Sequence, residues 1–231
     1  MNPELLHVDS LACPAFGEFS FTVSRGEWLR LAAGPQKACR ALVDEIYGLN
    51  PQPSPSVLWW GKALAESDGN DRLRIAARAA CTDREGAFLL NLRIWENLLL
   101  PLRHHHMPFD TDSTETEILA AFESAGITAA DAGRILQGRT DDLSDLEIAI
   151  CILIRAHLTH PELIVGERLF DGINAEGLDA LASLITWIES QNPGLALLTI
   201  GDPPATLNHL NLSPWPQPTT LRWKETSWRN S

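Results

Sequence analysis

Three groups of residues have types and spacings that could do chemistry. The first is Gly34-Pro35-Gln36-Lys37-Ala38-Cys39-Arg40-Ala41-Leu42, which lies between an apolar strand pattern, Trp28 to Ala33, and a helical pattern, Ala38 to Tyr47. Strand, glycine turn and helix in this order make a phosphate-binding loop: helix-terminal N–H groups face an anion, and a nearby Lys or Arg adds charge. The second is His104-His105-His106. Three consecutive histidines cannot all face one ion on regular backbone, and no acidic residue or cysteine flanks them closely, so solvated loop residues are expected. The third is the cysteines, Cys13, Cys39, Cys81 and Cys151, which are far apart and form no CxxC pair. Structural zinc and a disulfide framework are not expected, and reduced thiols are the default. Cys39 stands where a helix N-terminus and Arg40 would lower a thiol pKa, although inert packing explains it as well. No GxSxG elbow and no GxGxxG turn occurs, which argues against a serine hydrolase and a Rossmann enzyme.

The elements that must position these residues follow from periodicity. Phe19 to Val23 alternates as a strand, Arg25-Gly26-Glu27 is a turn, and Trp28 to Ala33 is a second strand. Asn50 to Ser56 holds three prolines and is a loop. Val57 to Trp60 is a short strand closed by Gly61, and Ser67 to Asp71 is a polar turn. Ile75 to Cys81 fits a strand or a helix. Helices are expected over Ile94 to Leu102, Thr114 to Ser124 and Ala129 to Leu136. Ser144 and Glu147 form a capping box before the apolar helix Ile148 to Leu158. Leu163 to Val165, the helix Ala175 to Ser190, and Leu195 to Ile200 read as a parallel βαβ unit. The tail from Ser213 carries three Trp and three Pro, consistent with an edge strand and an irregular end. Most of the eight Trp, including Trp59-Trp60, should be core or packed edge, because no interleaved basic run suggests base stacking.

Composition limits the partners. The 231 residues carry 18 Lys plus Arg against 30 Asp plus Glu, a net charge of −12, which makes nucleic acid a poor partner. No basic-then-apolar leader opens the sequence, and no stretch of 18 apolar residues suggests a membrane span.

Taken together, the segments resemble the ATP-binding subunit of ABC transporters. Phe19-Ser-Phe-Thr-Val-Ser-Arg-Gly-Glu27 is similar to the family's opening hairpin, and Gly34-Pro35 to the start of its Walker A loop. Val57 to Gly61 matches its next strand and turn, and Trp95-Glu96-Asn97-Leu98 its "ENV" helix start. Leu143-Ser144 matches the start of its LSGGQ signature. Arg155-Ala156 and Pro161 fall at the usual distances before a Walker B strand. The similarity runs from about Phe19 to Leu210. It implies an α/β fold: a P-loop NTPase (RecA-like) core with a parallel sheet, an N-terminal antiparallel β part and a helical subdomain. It also implies a single domain over 1–231, with its core at about 1–90 and 143–231 and the helical subdomain at about 91–142.

The resemblance also implies which residues are replaced. Walker A reads GPxGxGK followed by Ser or Thr; here Lys37 and Cys39 stand at glycine positions, Arg40 at the Lys and Ala41 at the metal-binding hydroxyl. Arg84 occupies the Q-loop glutamine position. The signature continues as Ser144-Asp145-Leu146-Glu147 without its glycines. Glu167 replaces the metal-binding Asp, Arg168 the catalytic Glu, and Gly201 the switch histidine. An arginine stays protonated and cannot act as a general base, and such single losses typically cost about 100-fold or more in rate. The vestigial nucleotide site is therefore Gly34, Pro35, Gln36, Lys37, Ala38, Cys39, Arg40, Ala41, Leu42, Arg84, Glu167, Arg168 and Gly201, with Ser144, Asp145 and Glu147 on the signature side. No catalytic residue, metal or cofactor is expected, and at most weak ATP binding through Arg40 and the helix that follows the loop.

The replacements also divide by sign. Lys37, Arg40, Arg84 and Arg168 are basic, while Asp141, Asp142, Asp145 and Glu147 on the signature side are acidic. In ABC proteins these sides meet across a head-to-tail dimer, so direct ion pairing without nucleotide is one expectation, and drift of an unused site is the other. The resemblance implies a non-hydrolysing structural or regulatory subunit at the cytoplasmic face of the inner membrane. It would contact a transmembrane permease through the helical subdomain and pair with a second copy or another ABC-type subunit. The run Glu96-Asn97-Leu98-Leu99-Leu100-Pro101-Leu102 resembles lipid and lipoprotein transport members. The alternatives are a soluble adaptor built on the same fold and an ATP-binding partner in a heterodimeric ATPase.

Overall fold

The computed structural model describes residues 3–13, 17–32, 36–49, 54–83, 87–201 and 219–220. The chain opens with a long antiparallel pair, β1 (Glu4–Cys13) and β2 (Gly17–Ser24), extended by the hairpin β4 (Val57–Trp59) and β5 (Lys62–Ala63) into a four-stranded sheet of order β2-β1-β4-β5. The hairpin turns on Trp60 and Gly61, both at positive φ (48° and 78°). That is the backbone twist a two-residue hairpin loop requires, and glycine supplies it without steric cost at the second position.

The second sheet is parallel and has the order β6-β7-β8-β3-β9. Its strands are β3 (Trp28–Ala32), β6 (Ala79–Asp83), β7 (Leu163–Glu167), β8 (Ala196–Ile200) and β9 (Thr219–Thr220). Every residue of β7 and β8 is buried. Leu163, Val165, Ala196, Leu198 and Ile200 face one apolar cluster, with β1, β4 and helix α1 (Gln36–Tyr47). Ile164 and Leu197 face the other, built from α3 (Ile94–His104), α4 (Thr111–Ser124), α5 (Ala129–Gln137), α6 (Asp145–His157) and α7 (Ala175–Gln191). Continuous apolar strands with alternate residues serving opposite cores are what a parallel sheet covered on both faces demands. No helix among the described residues is long and apolar enough to cross a membrane.

Several sequence expectations need correction. Ser67 to Asp71 is not only a turn: Asp68 caps the helix α2 (Gly69–Arg78) in a capping box with Asp71, and β6 follows directly at Ala79. The ambiguous Ile75 to Cys81 stretch is thus helix and then strand. The expected opening hairpin is also displaced. β2 pairs with β1, while β3 leaves for the other sheet. β1 escapes a periodicity search because register shifts between Glu4 and Leu6 and between Val8 and Leu11 break its alternation, so that Leu5 and Leu6 are both buried. His104 closes α3 rather than lying in the loop after it. The tail does supply an edge strand, β9 beside β3; its tryptophans lie outside the described residues.

Two polar junctions fix the layers. Arg78 makes a bidentate pair with Glu162 (2.7 and 2.9 Å), stacks its guanidinium 3.9 Å from the Trp60 ring centroid, and shares Glu162 with the Trp60 Nε1–H (3.2 Å). This ties the antiparallel sheet to the start of β7. Asn97, fully buried in α3, accepts from the Leu89 N–H (2.8 Å) and donates toward the carbonyls of Leu89 (3.1 Å) and Arg93 (3.2 Å). The motif residue Asn97 is therefore a clamp on the segment that enters α3. Asn97→Leu removes the acceptor of the Leu89 N–H and the side-chain donor to the Leu89 and Arg93 carbonyls, and should cost about 1–3 kcal/mol in chemical denaturation, with faster proteolytic nicking of the segment before α3.

Candidate functional site

β7 and β8 end together, with Glu167 in register with Ile200, and β3 runs beside β8 with Leu31 opposite Ile200. The first residues of α1 follow β3 at the same edge. Carboxyl ends of parallel strands beside a helix N-terminus form the crevice where open α/β sheets bind ligands. The fold therefore carries Gln36, Arg40, Glu167, Arg168 and Gly201 to one edge. Gly34, Pro35 and Arg84 lie outside the described residues.

The first turns of α1 divide by face. Gln36, Lys37 and Arg40 are exposed, Ala41 is half-buried, and Ala38, Cys39 and Leu42 pack into the core. Cys39 is 0% exposed, so it has no access to a reagent and the reactive-thiol reading does not fit. Arg40 turns back onto its own chain. Its Nε lies 3.0 Å from Asp44 Oδ1, one turn along α1, and its Nη1 lies 3.6 Å from Glu167 Oε2. Glu167 is 3% exposed, so its carboxylate has left most of its water and the guanidinium supplies part of the compensation. The cation at the position expected for the lysine thus meets an anion at the position expected for the metal ligand within the chain.

The next residue is also engaged. Arg168 sits at positive φ (51°), a left-handed geometry that costs a non-glycine residue about 1–2 kcal/mol. Its N–H donates to the Ile200 carbonyl (2.8 Å) and its Nε to Asp171 Oδ2 (2.5 Å). Gly201 closes against it: a Cβ there would come within 3.3 Å of the Arg168 Cα. At the position expected for a general base, the geometry holds a protonated guanidinium paired to Asp171.

The signature-side residues belong to a different junction. Ser144 caps α6. Its Oγ accepts from the Glu147 N–H (3.3 Å) and donates to Glu147 Oε2 (2.8 Å), while the Ser144 N–H donates to the same carboxylate (2.8 Å). Glu147 also pairs with Arg134 of α5. Burial pushes the Glu147 carboxyl up, but the Arg134 and Ser144 hydrogen bonds outweigh it and hold it below the usual glutamate range. Asp145 is exposed at the helix start. Both carboxylate oxygens of Glu147 are thus engaged within the chain, one by Arg134 and the other by Ser144.

The expectation of opposite charges meeting across a dimer loses ground here. Arg40, Arg168 and Glu147 have intrachain ionic partners, and Asp142 accepts from the Arg139 N–H. The residues missed by sequence reasoning are those partners. Asp44 and Asp171 stand four and three positions from their arginines and could have been found by helical and turn spacing. Arg134 could not, since only the α5–α6 packing brings it to Glu147.

The histidines also regroup. His104 and His105 stack edge to face at 5.1 Å at the end of α3, and the three neighbours form no ligand cluster among the described residues. A cluster does form from Glu117, His157 and His160. His157-x-x-His160 was a visible signal, but Glu117 lies on another helix.

No protein-family profile matches the chain, and no curated protein does. Solved structures do. CbiO1 from Clostridium perfringens, part of the ABC transporter complex CbiONQ, superposes with a TM-score of 0.68 at 13% identity over 87% of this chain and 80% of that one. The ATP-binding cassette MJ0796, solved as a dimer bound to ADP and Pi, gives 0.70 at 12% identity over 86% and 88%. An ATP-binding subunit of an ABC transporter gives 0.66 at 19% identity over 85% and 79%. The chain has the fold of an ABC-type ATPase cassette.

Two measurements check this reading of the site. Arg40→Ala removes a cation from beside a buried carboxylate and should destabilise the protein by about 1–3 kcal/mol, discounted for the exposure of Arg40; Glu167→Gln in the same chain should recover part of that loss, giving a favourable coupling energy for the pair. The folded Glu147 carboxyl titrates below its unfolded value, so the stability it adds is complete above the ordinary glutamate range and is lost as pH falls through the lowered value. Urea midpoints measured from neutral to acid pH should show Glu147→Gln to be weaker than the parent at neutral pH, with the gap closing as the medium is acidified.

Proposed function

We propose that this chain is a non-hydrolysing ABC-type subunit, a structural or regulatory component of a membrane transport complex. The observation that supports the reading best is the Arg40–Glu167 contact, joined by Asp44. In an ABC-type site a lysine would meet the phosphates and an aspartate the Mg²⁺. Here the two replacements neutralise each other inside the chain, and Arg168 stands where a base would hold water. Ala41 offers no hydroxyl to a metal. Binding of Mg-ATP would have to break the Arg40–Glu167 contact and place a metal against a guanidinium.

The helical segment at about 91–142 is then the face toward a transmembrane permease, and the subunit acts as a homodimer or beside another ABC-type subunit, peripheral to the cytoplasmic face of the membrane. The likeness to CbiO1, itself part of a transporter complex, and the dimeric form of the MJ0796 cassette favour that arrangement. The Glu96 to Leu102 run favours a lipid-related cargo. What supports a retained rather than discarded scaffold is that the described residues superpose on ABC-type cassettes over 86–87% of the chain.

Calorimetry with Mg-ATP on the purified protein should give no magnesium-dependent tight binding, and phosphate release should not exceed the blank. Micromolar, magnesium-dependent binding, or turnover abolished by Glu167→Gln, would overturn the proposal. Recovery of the chain with the membrane fraction, lost when 91–142 carries charge-reversed surface residues, tests the assembly part separately.

A further inference from the structure

The Glu117, His157 and His160 cluster lies away from the strand-end crevice and owes nothing to the reading of that site. α4 supplies Glu117, the last residue of α6 supplies His157, and His160 follows just beyond the helix end. His160 adopts positive φ (46°), and its N–H donates to the His157 carbonyl (2.8 Å). This left-handed helix stop turns the chain back, so its ring stands edge to face with His157 at 5.6 Å. Trp187 of α7 closes the other side of His157 at 5.1 Å.

The state of His157 needs explaining. Its side chain is 0% exposed and its Nε2 lies 2.8 Å from Glu117 Oε1, a contact that holds the Glu117 carboxyl below its usual range. Among the described residues its Nδ1 has no hydrogen-bond partner. Buried polar atoms are normally satisfied, and a lone pair without a proton-bearing partner suits a ligand atom better than a donor. One ligand atom from each of the three residues falls within 4.8 Å of the others.

We propose that Glu117, His157 and His160 bind one divalent transition-metal ion, Zn²⁺ before others. Two neutral imidazoles and one carboxylate suit Zn²⁺ and its neighbours and are a poor set for Ca²⁺ or Mg²⁺, which take oxygen ligands. Metal–ligand bonds of about 2.0–2.2 Å put tetrahedral ligand atoms about 3.4 Å apart. The cluster reaches that by about 1 Å of side-chain movement, and exposed His160 and half-buried Glu117 are the residues able to make it. The fourth position opens to solvent on the His160 side and takes water. The His157 Nδ1 lacks an orienting partner among the described residues, which sets the expected affinity in the micromolar range rather than tighter. Bound metal would pin α4 to the end of α6.

The test uses the full chain stripped of metal with chelator and titrated with Zn²⁺ by calorimetry, with Co²⁺ absorption as the coordination readout. The expected result is one equivalent per chain, visible d–d bands, and a melting temperature raised by about 5–10 °C at a hundredfold excess over Kd. Glu117→Gln and His160→Ala should each weaken binding at least tenfold while the metal-free melting temperature stays near the parent value. His157 is too buried to be the test residue. A triple variant, His104→Ala, His105→Ala and His106→Ala, should keep the site. Absence of stoichiometric uptake, uptake indifferent to Glu117→Gln and His160→Ala, or uptake abolished by the triple variant would each overturn the proposal.

Discussion

The burial of β7 and β8 on both faces is the constraint on which the rest of the molecule depends. Two neighbouring five-residue strands with no exposed residue can exist only between two apolar layers, so the antiparallel sheet with α1 must cover one side and the α3–α7 helices the other. Side chains that need polar company are expelled to the ends of these strands. Glu167 and Arg168 stand at one such end, and the start of α1 and Gly201 meet them there because β3 and β8 run parallel beside β7. The position of the site is thus a consequence of the core, whatever chemistry the site retains.

At that edge the dominant problem is a nearly buried carboxylate. In a working nucleotide site, metal and phosphate charges would balance one another with water between. This chain brings a guanidinium to 3.6 Å from Glu167 instead and anchors it with Asp44. Arg168 repeats the solution with Asp171. Each pair is local and modest in strength, since Arg40 remains half-exposed and solvent screens it. Their common effect is to set each arginine of this edge against carboxylates of its own chain.

The same logic separates the signature side. Ser144 and Glu147 are kept by helix capping and by Arg134, which are structural demands at the α5–α6 junction rather than demands of a partner's phosphate. His157 is buried beside the Glu117 carboxylate and a second imidazole, and its Nδ1 has no hydrogen-bond partner among the described residues.

By itself the sequence determined the order and type of most elements, because strand alternation, helical spacing, glycine turns and the Ser144–Glu147 box are encoded within a few residues of one another. Spacing also supplied the expectation of which residues stand at the site, and the fold brings Gln36, Arg40, Glu167, Arg168 and Gly201 to one edge. The sequence did not determine β1, whose bulges break the alternation, or α2, whose polar capping box resembles a turn. Only the tertiary structure decided what the charges do. Arg40 meets Glu167, Arg134 meets Glu147, and Glu117 meets His157 across helices and strands far apart in the chain, and no local pattern records a contact that packing creates.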